Sequence, residues 1–252
     1  MDMKVVLITQ ARFGSSRLPG KVLKEINGKS LLEIHLDRLK KCSSISKIIV
    51  ATTVKEADEI IYDNAVAWGF QASRGSESDV LDRFYKALDK ENADWVVRVT
   101  SDCPLLDPNL VDEIVTFAVA NNYDYVSNGL VEHYPDGQDV EVFKFAALET
   151  AWRNAKLNSE REHVTPYIRS NADGKGLNLF NTCNYPCKDN FSHIRMTVDE
   201  PVDFDVIEHL IQKLGTDKSW HEYTQYMIEH DLTKLNEGII RNQGFIESLK
   251  KD

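Results

Sequence analysis

The sequence predicts an α/β fold in which a mostly parallel sheet lies between layers of helices. Two observations support this prediction. Short runs of apolar and β-branched residues, typical of buried parallel strands, recur along the first hundred positions. Helical patterns with recognisable starts lie between these runs. Because strands and helices that alternate along a chain form an open sheet covered on both faces, we expect a three-layer arrangement.

The strands are predicted from apolar runs. The clearest runs are residues 5–9, 48–52 and 95–100, and residues 70–73 form a weaker one. In open α/β sheets, ligands bind beyond the carboxyl ends of the strands. The loops that follow these four runs are therefore the places to look for a functional site.

The intervening helices are predicted from their starts. Two positions match a capping box and a third combines an N-cap with proline at the first helical position: Ser30 with Glu33, Thr53 with Glu56, and Asp107 with Pro108. Apolar residues then recur at helical spacing, for example Leu32, Leu36 and Leu39. Each start therefore predicts one helix that packs on the sheet.

After about residue 130 the alternation is looser. We predict strands at 140–143 and 193–198 and helices at 146–155 and 202–214. The whole chain, 1–252, is predicted to be one domain, and the segment 129–192 is predicted to be an insertion. This insertion either closes over an acceptor molecule or forms a subunit contact.

The composition excludes several classes of function. A net charge of −10 argues against a nucleic-acid-binding surface, which needs a basic face. No run approaches the roughly 18 apolar residues of a membrane span. The first residues lead directly into a strand-like run without the pattern of a signal peptide. We therefore expect a cytoplasmic protein whose partners are small molecules.

The loop after the first predicted strand, residues 10–21, has the composition of a phosphate-binding loop. Cations alternate with small residues there: Arg12, Gly14, Ser15, Ser16, Arg17, Gly20 and Lys21. Glycine lets backbone N–H groups approach an anion, serine adds hydroxyl donors, and arginine holds phosphate oxygens in a fork. Five residues separate the two glycines and Val22 follows the lysine, so the loop is neither a P-loop nor a dinucleotide-binding glycine motif. We predict that it binds a triphosphate.

Two aspartates are candidate magnesium ligands. Asp102 follows the predicted strand 95–100, and Asp199 follows the predicted strand 193–198. Magnesium is commonly bound by one or two carboxylates together with phosphate oxygens. We therefore predict that both aspartates hold magnesium, and that Asp203 caps or orients the helix that follows.

Four further side chains are candidate contacts for an acceptor. Asp139 and Glu141 lie in the acidic stretch 136–141, where either could contact an acceptor hydroxyl. Arg161 and His163 follow later, although His163 could instead be a structural residue at a helix start. Neither a histidine-based general base nor a nucleophile triad is evident in the sequence.

Several segments together resemble a known family. Residues 11–12 and 16–21 resemble the cytidylyltransferase signature of CMP-KDO and CMP-sialic acid synthetases. Residues 99–105, 134–141, 161–167 and 195–204 resemble the spore-coat-polysaccharide branch of that family more closely. The similarity extends over most of the chain. It implies the nucleotide-diphospho-sugar transferase fold, which is related to the GT-A architecture, and usually a homodimer.

The resemblance also implies roles for individual residues. Ala11 belongs to the signature, and Arg12, Ser16, Arg17 and Lys21 would hold the phosphates. Asp102 and Asp199 would hold magnesium. The segment that contains Asp79 and Arg83 falls where the KDO enzymes contact the nucleotide. Thr100 stands where those enzymes have a glutamine near the nucleoside.

These observations predict a magnesium-dependent cytidylyltransferase. An acceptor hydroxyl of a sugar acid or related sugar would attack the α-phosphorus of CTP in line, and pyrophosphate would leave, stabilised by Lys21 and Arg17. The expected product is a precursor of a surface polysaccharide or glycoconjugate. The alternatives are a GT-A glycosyltransferase that uses a preformed nucleotide sugar, and a catalytically silent nucleotide-binding subunit.

Overall fold

The computed structural model describes residues 3–252 and contains the predicted mostly parallel sheet between helices. Its strands are β1 (Val5–Gln10), β2 (Glu25–Ile26), β3 (Lys29–Ser30), β4 (Lys47–Thr53), β5 (Gln71–Gly75), β6 (Trp95–Thr100), β7 (Tyr125–Ser127), β8 (Glu141–Lys144) and β9 (Thr182–Asn184). Its α-helices are α1 (Leu31–Leu39), α2 (Glu59–Ala67), α3 (Val80–Leu88), α4 (Pro108–Ala120), α5 (Phe145–Asn154), α6 (Asn158–His163), α7 (Pro166–Ser170), α8 (Pro201–Leu214), α9 (Trp220–Glu229) and α10 (Gln243–Leu249).

The main sheet has seven strands in the order β5-β4-β1-β6-β8-β7-β9. The first four of these are mutually parallel, and β8 runs antiparallel to both β6 and β7. The predicted insertion 129–192 carries β8, β9 and α5–α7, so part of it lies within the sheet itself. Its role in acceptor binding or dimerisation stays a prediction.

The alternation of side chains along β1 explains the three layers. Val6 and Ile8 pack into a core with α3 and α5 on one face of the sheet. Val5 and Leu7 pack into a second core with α4 on the other face. Both faces of the strand are therefore covered by helices, as the apolar run predicts. Within residues 3–252, none of the helices combines the length and apolar character that a membrane span requires.

Two of the three predicted helix starts are confirmed. The Ser30 side chain accepts from the backbone N–H of Glu33, and Asp107 caps α4 with Pro108 at its start. The prediction at Thr53 is wrong, because β4 extends through Thr53 and α2 begins only at Glu59. The Thr53 hydroxyl donates to the buried carboxylate of Asp58 instead, which also accepts from the backbone N–H of Phe13.

The predicted strand at 193–198 is also wrong. This segment makes a single isolated bridge, between Asp136 and Arg195, and does not join the sheet. Its apolar side chains Ile194, Met196 and Val198 are buried in a third core, mainly against α1, α8 and α9. The segment therefore looks like a strand in the sequence because alternate residues are buried, although its backbone pairs with loops. The backbone N–H of Val198 donates to the carbonyl oxygen of Asp102, which brings the two loops together.

Candidate active site

A cavity of about 410 Å³ lies beyond the carboxyl ends of β1 and β6. Its volume is in the range of small-molecule sites. Most of the predicted site residues line it: Ala11, Arg12, Ser15, Ser16, Arg17, Lys21, Arg83, Thr100, Asp102, His163 and Asp199. The structure therefore brings the predicted phosphate loop, both predicted metal ligands and one predicted acceptor contact to a single cavity.

The phosphate loop is held in shape by its own backbone. Gly20 adopts a left-handed conformation with φ 67°, and its N–H donates to the carbonyl oxygen of Phe13 at 2.8 Å. A Cβ atom at Gly20 would lie 2.9 Å from the Phe13 ring, so glycine is required for both conformation and space. The following 3-10 helix, Lys21–Leu23, begins at this turn. The fold thereby fixes where the Lys21 side chain leaves the backbone.

Lys21 joins the two predicted metal ligands. Its Nζ lies 2.9 Å from Oδ2 of Asp102 and 2.8 Å from Oδ1 of Asp199, and it also donates to the carbonyl oxygen of Val198 at 2.7 Å. Burial lowers the pKa of Lys21, but the two carboxylates outweigh this effect and raise it above its ordinary value. Burial likewise opposes ionisation of Asp102, yet Lys21 and Thr100 hold the pKa of that carboxyl well below its usual range. Lys21 and Asp102 therefore face each other in their charged forms.

Arg195, which the sequence analysis did not single out, supports Asp199 from the other side. It is buried, and its guanidinium contacts three carboxylates: Asp199 at 2.8 Å, Asp203 at 2.9 Å and Asp136 at 2.5 Å. Asp203 in turn accepts from the backbone N–H groups of Asp199 and Glu200, which confirms its predicted role at the start of α8. Arg195 was missed because the sequence analysis placed it in a strand at 193–198, and therefore did not predict that its side chain lies next to Asp199.

Arg17 and Arg12 approach the same region from the loop. Arg17 pairs with Asp199 at 3.0 Å and with Glu200 at 3.5 Å. Arg12 lies 3.7 Å from Glu77, a cavity residue that the sequence analysis did not identify. These cations thus lie beside partly exposed carboxylates, and their binding to a triphosphate stays a prediction.

The remaining predicted site residues lie outside the lining of the cavity. Asp79 caps α3 and pairs with Arg161 at 2.6 Å, so these two predicted residues contact each other. Asp139 pairs with Arg241 at 2.5 Å. Glu141 is buried on β8, where it pairs with Arg98 and accepts from Tyr125 and Thr165. Gly14 lies in the phosphate loop beside Glu77. Their roles in binding stay predictions.

Several lining residues were not predicted from the sequence. They are Gln10, Val22, Glu77, Val80, Ser101, Gln243, Gly244 and Glu247, while Glu162 stands between the candidate acceptor contacts Arg161 and His163. Some of them are next to predicted residues in the sequence. Gln10 and Ser101 could have been predicted, because each directly follows a predicted strand. The residues of α10 carried no comparable signal, because nothing in the local sequence shows that the end of the chain returns to the first strand.

The aspartate pair fits a divalent cation. The carboxylates of Asp102 and Asp199 lie close enough to share one ammonium group, which shows that a positive charge can be placed between them. Within residues 3–252, no group of three or more His, Cys, Asp or Glu side chains is arranged to hold a metal ion. Magnesium needs only one or two protein carboxylates when phosphate oxygens and water complete its coordination. The residues present therefore suit a metal that binds together with a nucleotide.

Comparisons with known proteins agree with this geometry. The family model described as cytidylyltransferase matches residues 6–229. The spore coat polysaccharide biosynthesis protein SpsF of Bacillus subtilis is 34% identical over 218 residues, which cover 84% of this chain and 88% of that protein. A 3-deoxy-manno-octulosonate cytidylyltransferase of Hydrogenovibrio crunogenus is 35% identical over 125 residues, 48% of this chain and 50% of that protein.

A solved structure extends the likeness to the whole fold. A cytidylyltransferase from Leptospira borgpetersenii superimposes with a TM-score of 0.87 at 29% identity, over 95% of this chain and 100% of that one. The predicted nucleotide-diphospho-sugar transferase fold is thereby confirmed. The chain belongs to the cytidylyltransferase family, whose reaction transfers CMP from CTP to an acceptor.

Proposed function

We propose that the protein transfers CMP from CTP to a hydroxyl group of a sugar acid and releases pyrophosphate, and that it does so in the cytoplasm. The observation that carries this proposal is the meeting of the cationic loop with Asp102 and Asp199 in one cavity. The names of the relatives support the acceptor class, since one acts on 3-deoxy-manno-octulosonate and another serves spore coat polysaccharide synthesis. The product would be a precursor of a surface polysaccharide or glycoconjugate.

The side chains of the cavity have complementary tasks in this reaction. Arg12, Arg17 and Lys21 bind the triphosphate and neutralise charge on the departing pyrophosphate. Asp102 and Asp199 would hold magnesium, which when bound supplies further positive charge to the phosphate oxygens. The 3-10 helix that begins after Gly20 fixes Lys21, and Arg195 fixes Asp199. The catalytic effect therefore comes from placing charges in advance rather than from a covalent intermediate.

The test is a pyrophosphate-release screen of four nucleoside triphosphates against a panel of sugar acids and sugar phosphates. We expect turnover with CTP and a sugar acid, and loss of turnover in Lys21→Met. The matched control is Lys29→Met, because Lys29 is exposed and pairs with Asp37 on the surface. Faster turnover with ATP, GTP or UTP would refute the preference for CTP. Absence of pyrophosphate release throughout the panel would refute the proposed reaction.

We also propose that the protein is a homodimer. The segment 129–192 exposes several large apolar side chains: Leu130, Val131, Leu157, Leu177 and Leu179. Such side chains are suited to a subunit contact, and stable interfaces bury about 1,200 Å² or more. Sedimentation at micromolar concentration should give twice the chain mass of 28.7 kDa. A species of the single-chain mass alone would refute the dimer.

A further inference from the structure

A buried carboxylate outside the cavity connects the phosphate loop to the end of β4. Asp58 is 2% exposed and is not among the residues that line the cavity. Its Oδ1 accepts from the backbone N–H of Phe13 at 2.6 Å, and its Oδ2 accepts from the hydroxyl of Thr53, the last residue of β4. Hydrogen bonds to a carboxylate are stronger than those between neutral groups. Asp58 therefore fixes the middle of the loop to a strand of the sheet.

The Asp58 side chain serves the loop rather than its own helix. An aspartate directly before a helix commonly accepts from the first backbone N–H groups of that helix. Asp58 precedes α2 but makes no such bond, since a 3-10 helix, Glu56–Asp58, leads directly into α2 and the backbone of Asp58 is itself helical. Its carboxylate is turned instead to Phe13, which lies 45 positions earlier in the sequence.

This contact and a second one enclose Arg12, a predicted triphosphate ligand. The backbone N–H of Ala11 donates to the carbonyl oxygen of Ala51 on β4 at 3.1 Å, and the N–H of Phe13 donates to Asp58. The residues on both sides of Arg12 are therefore fixed to the same part of the fold. The Arg12 side chain is 46% exposed and gains little order from packing. Its position consequently depends on how the backbone is held.

Phe13 also carries the turn that leads to Lys21. Its carbonyl oxygen accepts from the backbone N–H groups of Ser15 and Gly20, each at 2.8 Å, and its ring lies against Gly20. A shift of Phe13 would therefore move the turn from which Lys21 leaves the backbone. Through this one backbone N–H, Asp58 affects two cations of the loop.

We propose that Asp58 is a positioning residue for triphosphate binding, because it holds the Phe13 N–H and so sets the places of Arg12 and Lys21 before a nucleotide binds. This inference rests on the proposed function. A loop that already has its binding conformation loses less freedom when the ligand arrives, so it binds more tightly. A role through charge alone predicts the opposite sign, because a negative group near a triphosphate repels it. The two roles therefore differ in what the loss of Asp58 does to binding.

Calorimetric titration of the full chain with CTP and with inorganic tripolyphosphate, each with magnesium, tests this inference. Asp58→Ala removes the acceptor of the Phe13 N–H and should bind both ligands at least about tenfold more weakly. Asp58→Asn keeps an acceptor oxygen but removes the charge, and it should bind both within about threefold of wild type. A loss in the alanine variant that asparagine largely restores identifies the hydrogen bond as the cause.

Asp112 supplies the matched control. On α4, its carboxylate accepts from the backbone N–H groups and the hydroxyls of Ser43 and Ser44, which are contacts of the same kind away from the cavity. Asp112→Ala should lower the melting temperature, as Asp58→Ala should, and leave the binding of both ligands unchanged. If Asp58→Ala does not fold, Thr53→Val takes its place, since it removes the hydroxyl that fixes the other oxygen of Asp58 and should weaken both ligands several-fold.

The outcomes separate this inference from the proposed function. Unchanged or tighter binding by Asp58→Ala overturns the inference, as does an equal loss in Asp58→Asn or in Asp112→Ala. Failure of wild type to bind either ligand also overturns it. The proposed function fails separately, if the variants bind as expected and wild type releases no pyrophosphate from CTP with any sugar acid.

Discussion

Arg195 donates from Nη2 to Oδ2 of Asp199, 2.8 Å away, and leaves the other oxygen of that carboxylate to Lys21 and Arg17. Arg195 thus holds the Asp199 side chain through Oδ2, while Oδ1 faces the cavity. Arg195 is itself fixed by Asp203 and Asp136, so the orientation of a predicted metal ligand depends on a buried network. Groups that orient ligands commonly affect metal affinity as strongly as tenfold or more.

Arg195→Lys should weaken the metal site without removing a metal ligand. Lysine keeps the charge but cannot span three carboxylates with a planar fork, so Asp199 loses its fixed orientation. We expect the magnesium concentration for half-maximal activity to rise about tenfold, with a smaller change in turnover at saturating magnesium. Arg153→Lys is the control, because Arg153 pairs with Glu149 on the exposed face of α5. An unchanged magnesium requirement in Arg195→Lys would show that Arg195 only stabilises the fold.

Asp102→Asn and Asp199→Asn should each lose turnover by about 10²- to 10³-fold, since each removes a charge that the ion needs while keeping the size of the side chain. The double variant should be little slower than either single variant, because both changes disable one ion. Circular dichroism should show intact folding, since both side chains are partly exposed in the cavity. Near-normal rates with unchanged magnesium dependence in both single variants would disprove the two-carboxylate assignment.

The sequence predicted the sheet well because its strands are buried on both faces. The runs at 5–9, 48–52 and 95–100 lie within or coincide with β1, β4 and β6. The same criterion failed at 193–198, where alternate burial against α1, α8 and α9 imitates a strand although the backbone pairs with loops. Periodicity reports which side chains are buried, and it does not report which backbone groups are hydrogen-bonded to each other.

The candidate site was predictable where local chemistry marked it. Strand ends and alternating cations identified Lys21 and Asp102, which the structure places in contact. Arg195 and Glu247 could not be found in this way. Arg195 contacts Asp199 as part of a buried ion network, and Glu247 lines the cavity because the last helix packs beside it. Both contacts join segments that are distant in the sequence, so the local sequence does not show them.

Acid should destabilise the fold in part through His35. This side chain is fully buried between the hydroxyl of Thr9 and the carbonyl oxygen of Cys103, which accepts from Nδ1, and burial lowers its pKa to about 4. The unfolded chain binds a proton near pH 6.5 while the folded chain does not. The contribution of neutral His35 to stability is therefore fully present above pH 6.5 and is lost as the pH falls toward 4.

The loss should amount to about 3 kcal/mol at most, and urea unfolding at pH 7 and at pH 4.5 measures it. His35→Gln should be less stable than wild type at pH 7 and should lose less stability on acidification. His193→Gln is the control, because His193 is exposed. If His35→Gln loses as much stability between the two pH values as wild type, the buried neutral histidine is not the cause.

The final prediction concerns competition between Lys21 and a divalent cation. The Lys21 ammonium occupies the space between Asp102 and Asp199, so a positive charge fits there. Lys21→Met removes that ammonium and leaves the two partly exposed carboxylates facing each other in the cavity. The variant should therefore unfold at a lower temperature than wild type without magnesium, because Asp102 loses its lysine partner and the repulsion between the two carboxylates is less fully neutralised.

Magnesium should then raise the melting temperature of Lys21→Met more than that of wild type, since a ligand stabilises a protein more when the folded state binds it more tightly. Lys29→Met, which alters an exposed lysine, should respond to magnesium as wild type does. The measurement needs neither nucleotide nor turnover, so it examines the aspartate pair apart from catalysis. Equal magnesium stabilisation of all three proteins would mean that Asp102 and Asp199 do not bind the ion in the absence of nucleotide. A larger effect in Lys21→Met alone would place the ion and the lysine on the same two carboxylates, and would imply that Lys21 leaves them for the triphosphate when both substrate and metal are bound.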